Sequence, residues 1–141
     1  MTATSTPLDG METSQVEMME ELCLCLDEND NVIDSSSKLT THYGEGIRHR
    51  AFSVLIFDSN DRLLVQQRST DKITFPGVWA NSCCSHPLNI AGENGDAVEG
   101  VIHAARRKLA QELGIPENVT KGWKFNHIGR FEYKCRWDQD W

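Results

Sequence analysis

The chain has 141 residues, the length of one domain, and a formal net charge of −7. Its acidity lies at the start: residues 1–37 hold nine Asp or Glu and no Lys or Arg, whereas the remaining 104 residues carry 14 basic and 12 acidic side chains. We expect no nucleic-acid partner. The longest apolar run, residues 51–57, is far shorter than the ~18 residues that span a bilayer, so no membrane span is expected.

Cysteine usage and the N-terminus indicate a compartment. The five cysteines, at positions 23, 25, 83, 84 and 135, are odd in number and have no C-x-x-C spacing, so we expect reduced thiols and no disulfide framework. The acidic start differs from an Arg-rich, acid-poor transit peptide, and no basic stretch precedes an apolar core. The cytoplasm is therefore the default location.

The predicted elements begin after an acidic arm. Residues 1–19 combine Thr, Ser, Met and Glu without periodicity, which predicts a flexible arm, disordered or weakly helical, before a domain over residues 20–141. The alternating residues 22–26, a polar turn at 27–31 and an apolar pair at 32–33 predict a first hairpin. Residues 51–57 and 63–67 flank a second turn and predict another strand pair, in a mixed or antiparallel sheet.

The clearest helix is predicted over residues 97–113. Asp96 is a good N-cap, Glu99 follows three residues later as in a capping box, and Gly114 supplies a left-handed stop. The apolar residues of this helix recur at intervals of three and four and are expected to pack on the sheet: Val98, Val101, Ile102, Ala105, Leu109 and Leu113. Short alternations in residues 124–135 predict two further strands, which completes an α+β fold class with a mixed sheet and a packed helix.

One short segment carries a possible chemical site. In residues 81–87, NSCCSHP, the thiol of Cys84 and the imidazole of His86 are two positions apart, so in extended chain they point to the same face. This pair can serve proton transfer and metal binding. The alternative is packing, since free cysteines are among the most frequently buried residues.

The helix also carries part of a known motif. Hydrolases of the Nudix family share the box G-x5-E-x7-R-E-U-x-E-E-x-G-U, where U is aliphatic and the carboxylates bind a divalent metal. The matching residues are Glu99, Arg107, Leu109, Glu112, Gly114 and Ile115, and the departures are Glu93, Lys108 and Gln111. The resemblance implies a Nudix-like fold, but two metal-binding carboxylates are replaced, so pyrophosphohydrolase activity is the weaker alternative.

A closer resemblance covers about residues 20–141. Five ordered segments carry it, namely HRAFSV at 49–54, QQRS at 66–69, KITFP at 72–76, WANSCCSHP at 79–87 and ELGIP at 112–116. The chain thereby resembles the type 1 isopentenyl-diphosphate isomerases. These enzymes use a Nudix-like fold to interconvert isopentenyl and dimethylallyl diphosphate by adding one proton and removing another, so the resemblance implies an isoprenoid diphosphate as substrate.

The resemblance also implies metal sites. His42, His49 and His86 match three histidine ligands of the family, and imidazole suits zinc or manganese, with magnesium as a further possibility. Glu112 matches a carboxylate that helps to hold Mg²⁺ on the substrate diphosphate. Its alternative role is an i,i+4 ion pair with Lys108 on the helix surface.

Catalytic and substrate-binding residues follow from the same match. Cys84 corresponds to the cysteine that exchanges a proton on one face of the carbon skeleton, whereas its neighbour Cys83 is expected to pack in the core. Tyr133 corresponds to a tyrosine near the acid, with a buried core ring as the alternative. Four cations match those that grip the diphosphate, with solvated surface cations as the alternative: Lys38, Arg68, Lys72 and Lys108.

The end of the sequence bears on activity. In the family a Trp-Gly-Glu-His-Glu-type segment follows shortly after the position of Tyr133 and supplies the proton donor opposite the cysteine, and a tryptophan that can stabilise the carbocation follows later. The sequence stops at Trp141, so we expect an isomerase domain that is incomplete at its C-terminus and inactive alone. The alternative is a non-catalytic short form that binds metal and diphosphate. The oligomeric state stays open.

Overall fold

A computed structural model describes residues 8–136 of the chain. Its helices are α1 (Thr13–Met19), α2 (Lys38–His42), α3 (Ala97–Leu113) and α4 (Glu117–Thr120). Its strands are β1 (Leu22–Leu26), β2 (Val32–Ser37), β3 (Phe52–Val54), β4 (Gln66–Gln67), β5 (Trp79–Ala80) and β6 (Cys83–Ser85). The predicted α+β class is confirmed, and the strands form three antiparallel pairs, β1–β2, β3–β6 and β4–β5. None of the described helices has the length and apolar character needed to cross a membrane.

The first hairpin forms as predicted. Strands β1 and β2 pair in antiparallel register from Leu22 opposite Ser37 to Leu26 opposite Val32. The Asp27 carboxylate closes the turn, because it accepts hydrogen bonds from the backbone N–H groups of Asn29 and Asn31 at 2.9 and 2.8 Å. The alternation of the sequence therefore identifies this element correctly.

Strand β1 also holds two later segments on its other edge. Isolated bridges pair Cys23 with Leu88 and Cys25 with His49. Backbone hydrogen bonds flank the second of these bridges, from Leu26 N to Arg48 O and from Arg50 N to Leu24 O, both at 2.9 Å. This strand is the scaffold that brings residues near positions 49 and 88 together.

The second predicted hairpin forms only beside its turn. Phe57 bridges to Leu63 and Leu64 N donates to Ile56 O at 2.8 Å, but β3 pairs with β6 and β4 with β5. Ser82 separates the two predicted strands beyond that point. Its hydroxyl accepts from Ile56 N at 2.8 Å and donates to Leu64 O at 2.7 Å, replacing a direct ladder hydrogen bond. The prediction of a continuous strand pair was wrong for this reason.

Helix α3 has the predicted ends and packs on β3 and β6. The Asp96 carboxylate accepts from the N–H groups of Val98 and Glu99, and Gly114 ends the helix at φ 67°. The main core cluster joins this helix to the sheet through Phe52, Cys83, Ala104, Ala105 and Leu109. The buried face includes Gly100 and Lys108 as well, so it lies to one side of the predicted apolar stripe.

Gly100 permits the close approach of α3 to the loop before it. A Cβ built at this position would lie 2.3 Å from Glu93 O, a backbone atom that cannot move independently. Gly→Ala in a helix interior ordinarily stabilises by about 0.5–1 kcal/mol. We expect Gly100→Ala instead to lower the free energy of unfolding by about 1–3 kcal/mol, because the clash must displace backbone.

Urea unfolding measures this effect, with Gly95→Ala as the matched control. A Cβ at Gly95 would meet nothing within 4 Å, so this control should change stability by less than about 0.5 kcal/mol. Equal stability of the two variants would contradict this prediction and show that the backbone at Glu93 moves away from the added Cβ at little energetic cost.

The two strands predicted within residues 124–135 are wrong. The described residues 123–136 have no regular secondary structure, and Ile128, Phe131 and Tyr133 are 83%, 79% and 74% exposed. Solvent-exposed ion pairs join this segment to residues 45–48, namely Arg48–Glu132, Lys134–Glu45 and Arg136–Glu45. Alternation describes side chains only, whereas a strand also needs a neighbour's peptide groups, which are absent along the described part of this segment.

Helix α1 lies within the predicted arm. Its last residue, Met19, is buried against Ile73, and Leu8 and Leu39 pack on the pair. A weakly helical segment here thus makes tertiary contacts. The division of the chain at residues 19 and 20 stays a prediction, and residues 1–7 and 137–141 lie outside the described part.

Candidate functional site

A cleft lies where α1, α2, the loop after β4, the end of β6 and α3 meet. Eight of the ten predicted site residues line it: Lys38, His42, Arg68, Lys72, Cys84, His86, Lys108 and Glu112. These side chains come from positions up to 74 residues apart in the sequence, and the fold alone brings them together. Of the remaining two, His49 contacts the cleft through the other histidines, whereas Tyr133 does not line it.

The three histidines form a compact cluster. One ring nitrogen from each of His42, His49 and His86 lies within 4.8 Å of the other two. The ring centroids are 4.5 Å apart for His42 and His49, and His86 is 4.9 Å from each of them. Three convergent imidazole nitrogens at such distances can hold one divalent metal ion.

Local folding places each of these rings. His42 ends α2, and the N-cap of this helix is Ser37, whose hydroxyl accepts from Thr40 N at 3.1 Å. His49 is held on the edge of β1 by its bridge to Cys25. His86 directly follows β6 and lies two residues before Leu88, which bridges to Cys23 of β1.

Backbone carbonyls fix the tautomers of two rings. His42 Nδ1 lies 2.8 Å from Lys38 O, and His49 Nδ1 lies 2.6 Å from Ile47 O. A carbonyl oxygen can only accept, so Nδ1 carries the proton and Nε2 keeps its lone pair in both rings. His86 differs, because its Nδ1 is buried and has no hydrogen-bond partner among the described residues.

The cluster favours neutral imidazole. Burial lowers the pKa of His42 to about 4, with His49 as the next cause, and burial also lowers the pKa of His49. The pKa of His86 lies well below its usual value, because of burial and then the neighbouring His49 and His42. Neutral imidazole is the form that binds metal, so the orphaned Nδ1, the aligned tautomers and these pKa values fit a metal site.

The two adjacent cysteines face opposite sides of β6. Cys83 is fully buried in the core cluster, where burial and then Glu112 raise the pKa of its thiol to about 12. Cys84 is half-buried and lines the cleft, and its thiol donates to Asn81 Oδ1, with Ser53 Oγ at 3.7 Å. The i, i+2 spacing correctly predicts that Cys84 and His86 share one cavity, and Cys83 packs as expected.

Two of the predicted cations, Lys72 and Lys108, interact with the Glu112 carboxylate. Burial lowers the pKa of Lys72; Glu112 opposes this shift, and Lys108, Arg68 and Lys38 add to it. Lys108 is 2% exposed and places Nζ 2.9 Å from Gln111 Oε1 and 3.3 Å from Glu112 Oε1. The alternative ion pair of Glu112 with Lys108 is thus present, although it is buried and not on the helix surface.

The other two cations already have partners. Lys38 Nζ lies 3.1 Å from Glu21 Oε2. Arg68 donates to Phe75 O at 3.0 Å and to Thr74 O at 2.7 Å, which orders the loop that carries Lys72. Four positive charges near two carboxylates, Glu112 and Glu21, leave a net positive cleft, and such a cleft attracts anions.

Sequence reasoning missed several residues at the site. Gln15, Met18 and Met19 of α1 line the cleft, although their segment is predicted as an arm. The adjacent Met18 and Met19, directly before an alternating strand, were the available signal. Thr74 and Ser85 also line the cleft; both lie in segments that carry the family resemblance, but neither was singled out as a site residue.

Tyr133 stands apart from the cleft. Its ring lies 5.9 Å from that of Phe131, and the residue is 74% exposed, so the alternative of a buried core ring is wrong. The described contacts give it no place beside Cys84. Its catalytic role stays a prediction.

Comparisons with known proteins identify the family of the chain. The NUDIX domain model matches residues 47–141. Isopentenyl-diphosphate delta-isomerases are among the similar curated proteins: that of Aspergillus fumigatus is 50% identical over 97% of this chain and 52% of its own length. The enzyme of Schizosaccharomyces pombe is 48% identical over 86% of this chain and 57% of its own length. That of Bos taurus is 44% identical over 94% and 61%, so the chain spans somewhat more than half the length of these relatives.

Proposed function

The chain belongs to the Nudix family, and on that premise we propose that it binds an isoprenoid diphosphate and takes part in isomerising isopentenyl diphosphate to dimethylallyl diphosphate. One observation carries the proposal: a half-buried thiol, a cluster of three histidines and a net positive pocket share one cleft. A diphosphate ester with a short hydrocarbon needs these three features together, for proton exchange, metal binding and anion binding.

The cations and Glu112 bind the diphosphate in this proposal. Arg68 can engage phosphate oxygens through its planar fork, and Lys38, Lys72 and Lys108 act as point charges. Glu112 offers carboxylate oxygens to a Mg²⁺ that accompanies the diphosphate, since this ion prefers oxygen ligands and substrate phosphates. Binding the diphosphate at this end leaves the hydrocarbon to extend toward Cys84.

Cys84 moves one of the two protons. Isomerisation adds a proton to the terminal CH₂ of the double bond and removes one from the carbon nearer the diphosphate. The Cys84 thiol, oriented by Asn81 Oδ1, exchanges a proton on one face of this skeleton. An antarafacial reaction needs a second group on the opposite face, and we assign that role to none of residues 8–136.

The three histidines hold a divalent ion in this proposal. Zinc or manganese suits three imidazole ligands best, with magnesium as a weaker match. The ion supplies Lewis acidity and positive charge to the cleft when it is bound. His42 and His49 contribute Nε2, because carbonyls occupy their Nδ1 atoms.

Pyrophosphate hydrolysis is not favoured. The buried ammonium of Lys108 stands where Nudix hydrolases carry a metal-binding glutamate, and Gln111 replaces another. An ammonium at this position has no lone pair with which to ligate a metal ion as the glutamate does, and its charge attracts phosphate. Incubation with nucleoside diphosphate derivatives should release no phosphate products.

Deuterium exchange tests the proposed function. Isopentenyl diphosphate is incubated in D₂O with divalent metal, and ¹H NMR follows label entering the substrate and dimethylallyl diphosphate. Because the chain spans little more than half the length of its relatives, exchange is measured on this chain and on this chain continued with the remaining residues of the Aspergillus relative. We expect label in the longer form and metal-dependent binding of isopentenyl diphosphate by both.

The outcomes separate the alternatives. Metal-dependent binding by both forms without exchange in either would favour the non-catalytic binding form. Failure of both forms to bind the diphosphate would contradict the proposal as a whole.

A further inference from the structure

One ion pair with a buried carboxylate and a partly exposed guanidinium lies beside the histidine cluster and takes no part in the proposed chemistry. Glu93 is 5% exposed, and its two carboxylate oxygens accept from Arg107 Nε at 2.6 Å and from Arg107 Nη2 at 2.9 Å. This is a bidentate pair between a loop and the middle of α3. A pair of this geometry holds two elements in one relative position.

The same pair also forms hydrogen bonds with the backbone on both sides of Pro87. Arg107 Nη2 donates to His86 O at 3.3 Å, and Leu88 N donates to Glu93 Oε2 at 2.9 Å. Pro87 is fully buried and has no backbone N–H of its own. The backbone groups that can form hydrogen bonds beside it are therefore the His86 carbonyl and the Leu88 N–H. Glu93 and Arg107 therefore form a clamp, defined by these two side chains, that fixes the path of residues 86–88.

His86 depends on its backbone more than the other histidines do. Carbonyls of Lys38 and Ile47 orient the rings of His42 and His49 through Nδ1, whereas His86 Nδ1 has no partner among the described residues. The position of its ring is therefore set by the peptide that carries it and by packing. The clamp acts on that peptide directly.

Close packing of α3 completes the arrangement. Gly100 lies one helical turn away from Ala104 on the buried face and leaves room for Glu93 O, which a Cβ would approach to 2.3 Å. The loop can thus lie against the helix closely enough for the Glu93 carboxylate to reach Arg107. In Nudix hydrolases the position of Glu93 carries a glycine, so this carboxylate is a departure from the box that the proposed chemistry leaves unexplained.

We propose that Glu93 and Arg107 are positioning residues that set His86 for metal binding, a role that rests on the proposed metal site of the three histidines. Partners outside the ligand set that orient a ligand commonly change metal affinity by 10- to 100-fold. The clamp would act in this way through the main chain, since it holds the carbonyl of the ligand itself.

Metal affinity of the purified 141-residue protein tests the inference. Co²⁺ is titrated and its visible absorption recorded, because the bands report coordination geometry as well as occupancy, and Zn²⁺ affinity is measured by competition with a chromophoric chelator. We expect Arg107→Met to weaken binding about 10- to 100-fold and to alter the Co²⁺ spectrum. Arg107→Lys keeps the charge without the fork and should restore part of the affinity.

A second partner and a matched control sharpen the result. Glu93→Gln keeps an acceptor for Leu88 N and should weaken binding less than Arg107→Met, and the double variant should be no weaker than Arg107→Met, because both residues form one clamp. Arg106→Met removes a neighbouring guanidinium that lies over the Phe125 ring at 5.4 Å. This control should leave metal affinity and spectrum unchanged.

Unfolding of the metal-free protein separates positioning from stability. Lower stability of Arg107→Met and Glu93→Gln with wild-type affinity and spectrum would overturn the inference and leave a structural ion pair. If Arg107→Met does not fold, Arg107→Lys and Glu93→Gln decide by the same readouts. Failure of the unaltered protein to bind Co²⁺ or Zn²⁺ would instead contradict the proposed metal site.

Discussion

Replacing Cys84 by Ala is expected to slow proton exchange on isopentenyl diphosphate about 10²- to 10⁴-fold, the range for losing one general acid or base. The thiol lines the cleft beside His86 and donates to Asn81, and no other thiol lines that cleft in the described part of the chain. Label uptake in D₂O, measured on the longer form defined above, reports the loss. Metal content and affinity for the diphosphate should stay at wild-type values, because Cys84 contributes to neither in the proposed site.

Cys83→Ala is the matched control. This neighbouring thiol lies in the core cluster beneath α3, so its removal should cost about 1 kcal/mol of stability while exchange continues. Burial and Glu112 hold the Cys83 thiol in its protonated form, which makes it a poor substitute for Cys84. If exchange survived in Cys84→Ala but not in Cys83→Ala, the proton-transferring thiol would be Cys83, on the core side of β6, and the role proposed for Cys84 would be refuted.

Local patterns predict the parts of this fold that depend on neighbours in sequence. The caps Asp96 and Gly114 bound α3 correctly, and alternation with a polar turn identifies the β1–β2 hairpin. Both depend on side chains that bond to backbone within a few residues. The spacing of Cys84 and His86 also succeeds on local geometry, since residues two positions apart in extended chain share a face.

The errors occur where a distant group competes with a local pattern. The hydroxyl of Ser82 enters between residues 56 and 64 and diverts β3 to pair with β6, which no alternation in either strand encodes. Lys108 violates helical amphipathicity, because its buried ammonium is satisfied by Gln111 and Glu112 on its own helix. Helical spacing offers the pair with Glu112, but periodicity treats lysine as solvent-facing and therefore does not predict that the pair is buried.

The residues of the candidate site could be predicted from the sequence, but their arrangement in space could not. Family resemblance named the three histidines, yet their proximity depends on β1, whose free edge holds His49 and Leu88 by single bridges. Single bridges have no sequence pattern. The contribution of α1 was missed for a related reason, since one buried residue, Met19, is enough to dock a short helix against the cleft.

Removing any one ligand of the histidine cluster should affect metal binding more than any change outside it. We expect His42→Gln, His49→Gln and His86→Gln each to weaken Zn²⁺ or Co²⁺ binding by more than about 100-fold, the upper end of the range for residues outside the ligand set. Two imidazoles remain in each variant, and an amide is a poor nitrogen donor for these ions. The control His103→Gln changes an exposed histidine of α3 and should leave affinity unchanged.

The three variants should also differ from one another in stability without metal. His42→Gln and His49→Gln each remove a hydrogen bond to a carbonyl, at Lys38 O and Ile47 O, which should cost about 1 kcal/mol of unfolding free energy. His86→Gln breaks no such bond, because the His86 Nδ1 has no partner among the described residues. Metal affinity by chelator competition and urea unfolding of the metal-free protein together measure both effects. Wild-type metal affinity in all three variants would refute the histidine site, whereas equal losses of stability would refute the tautomers assigned to His42 and His49.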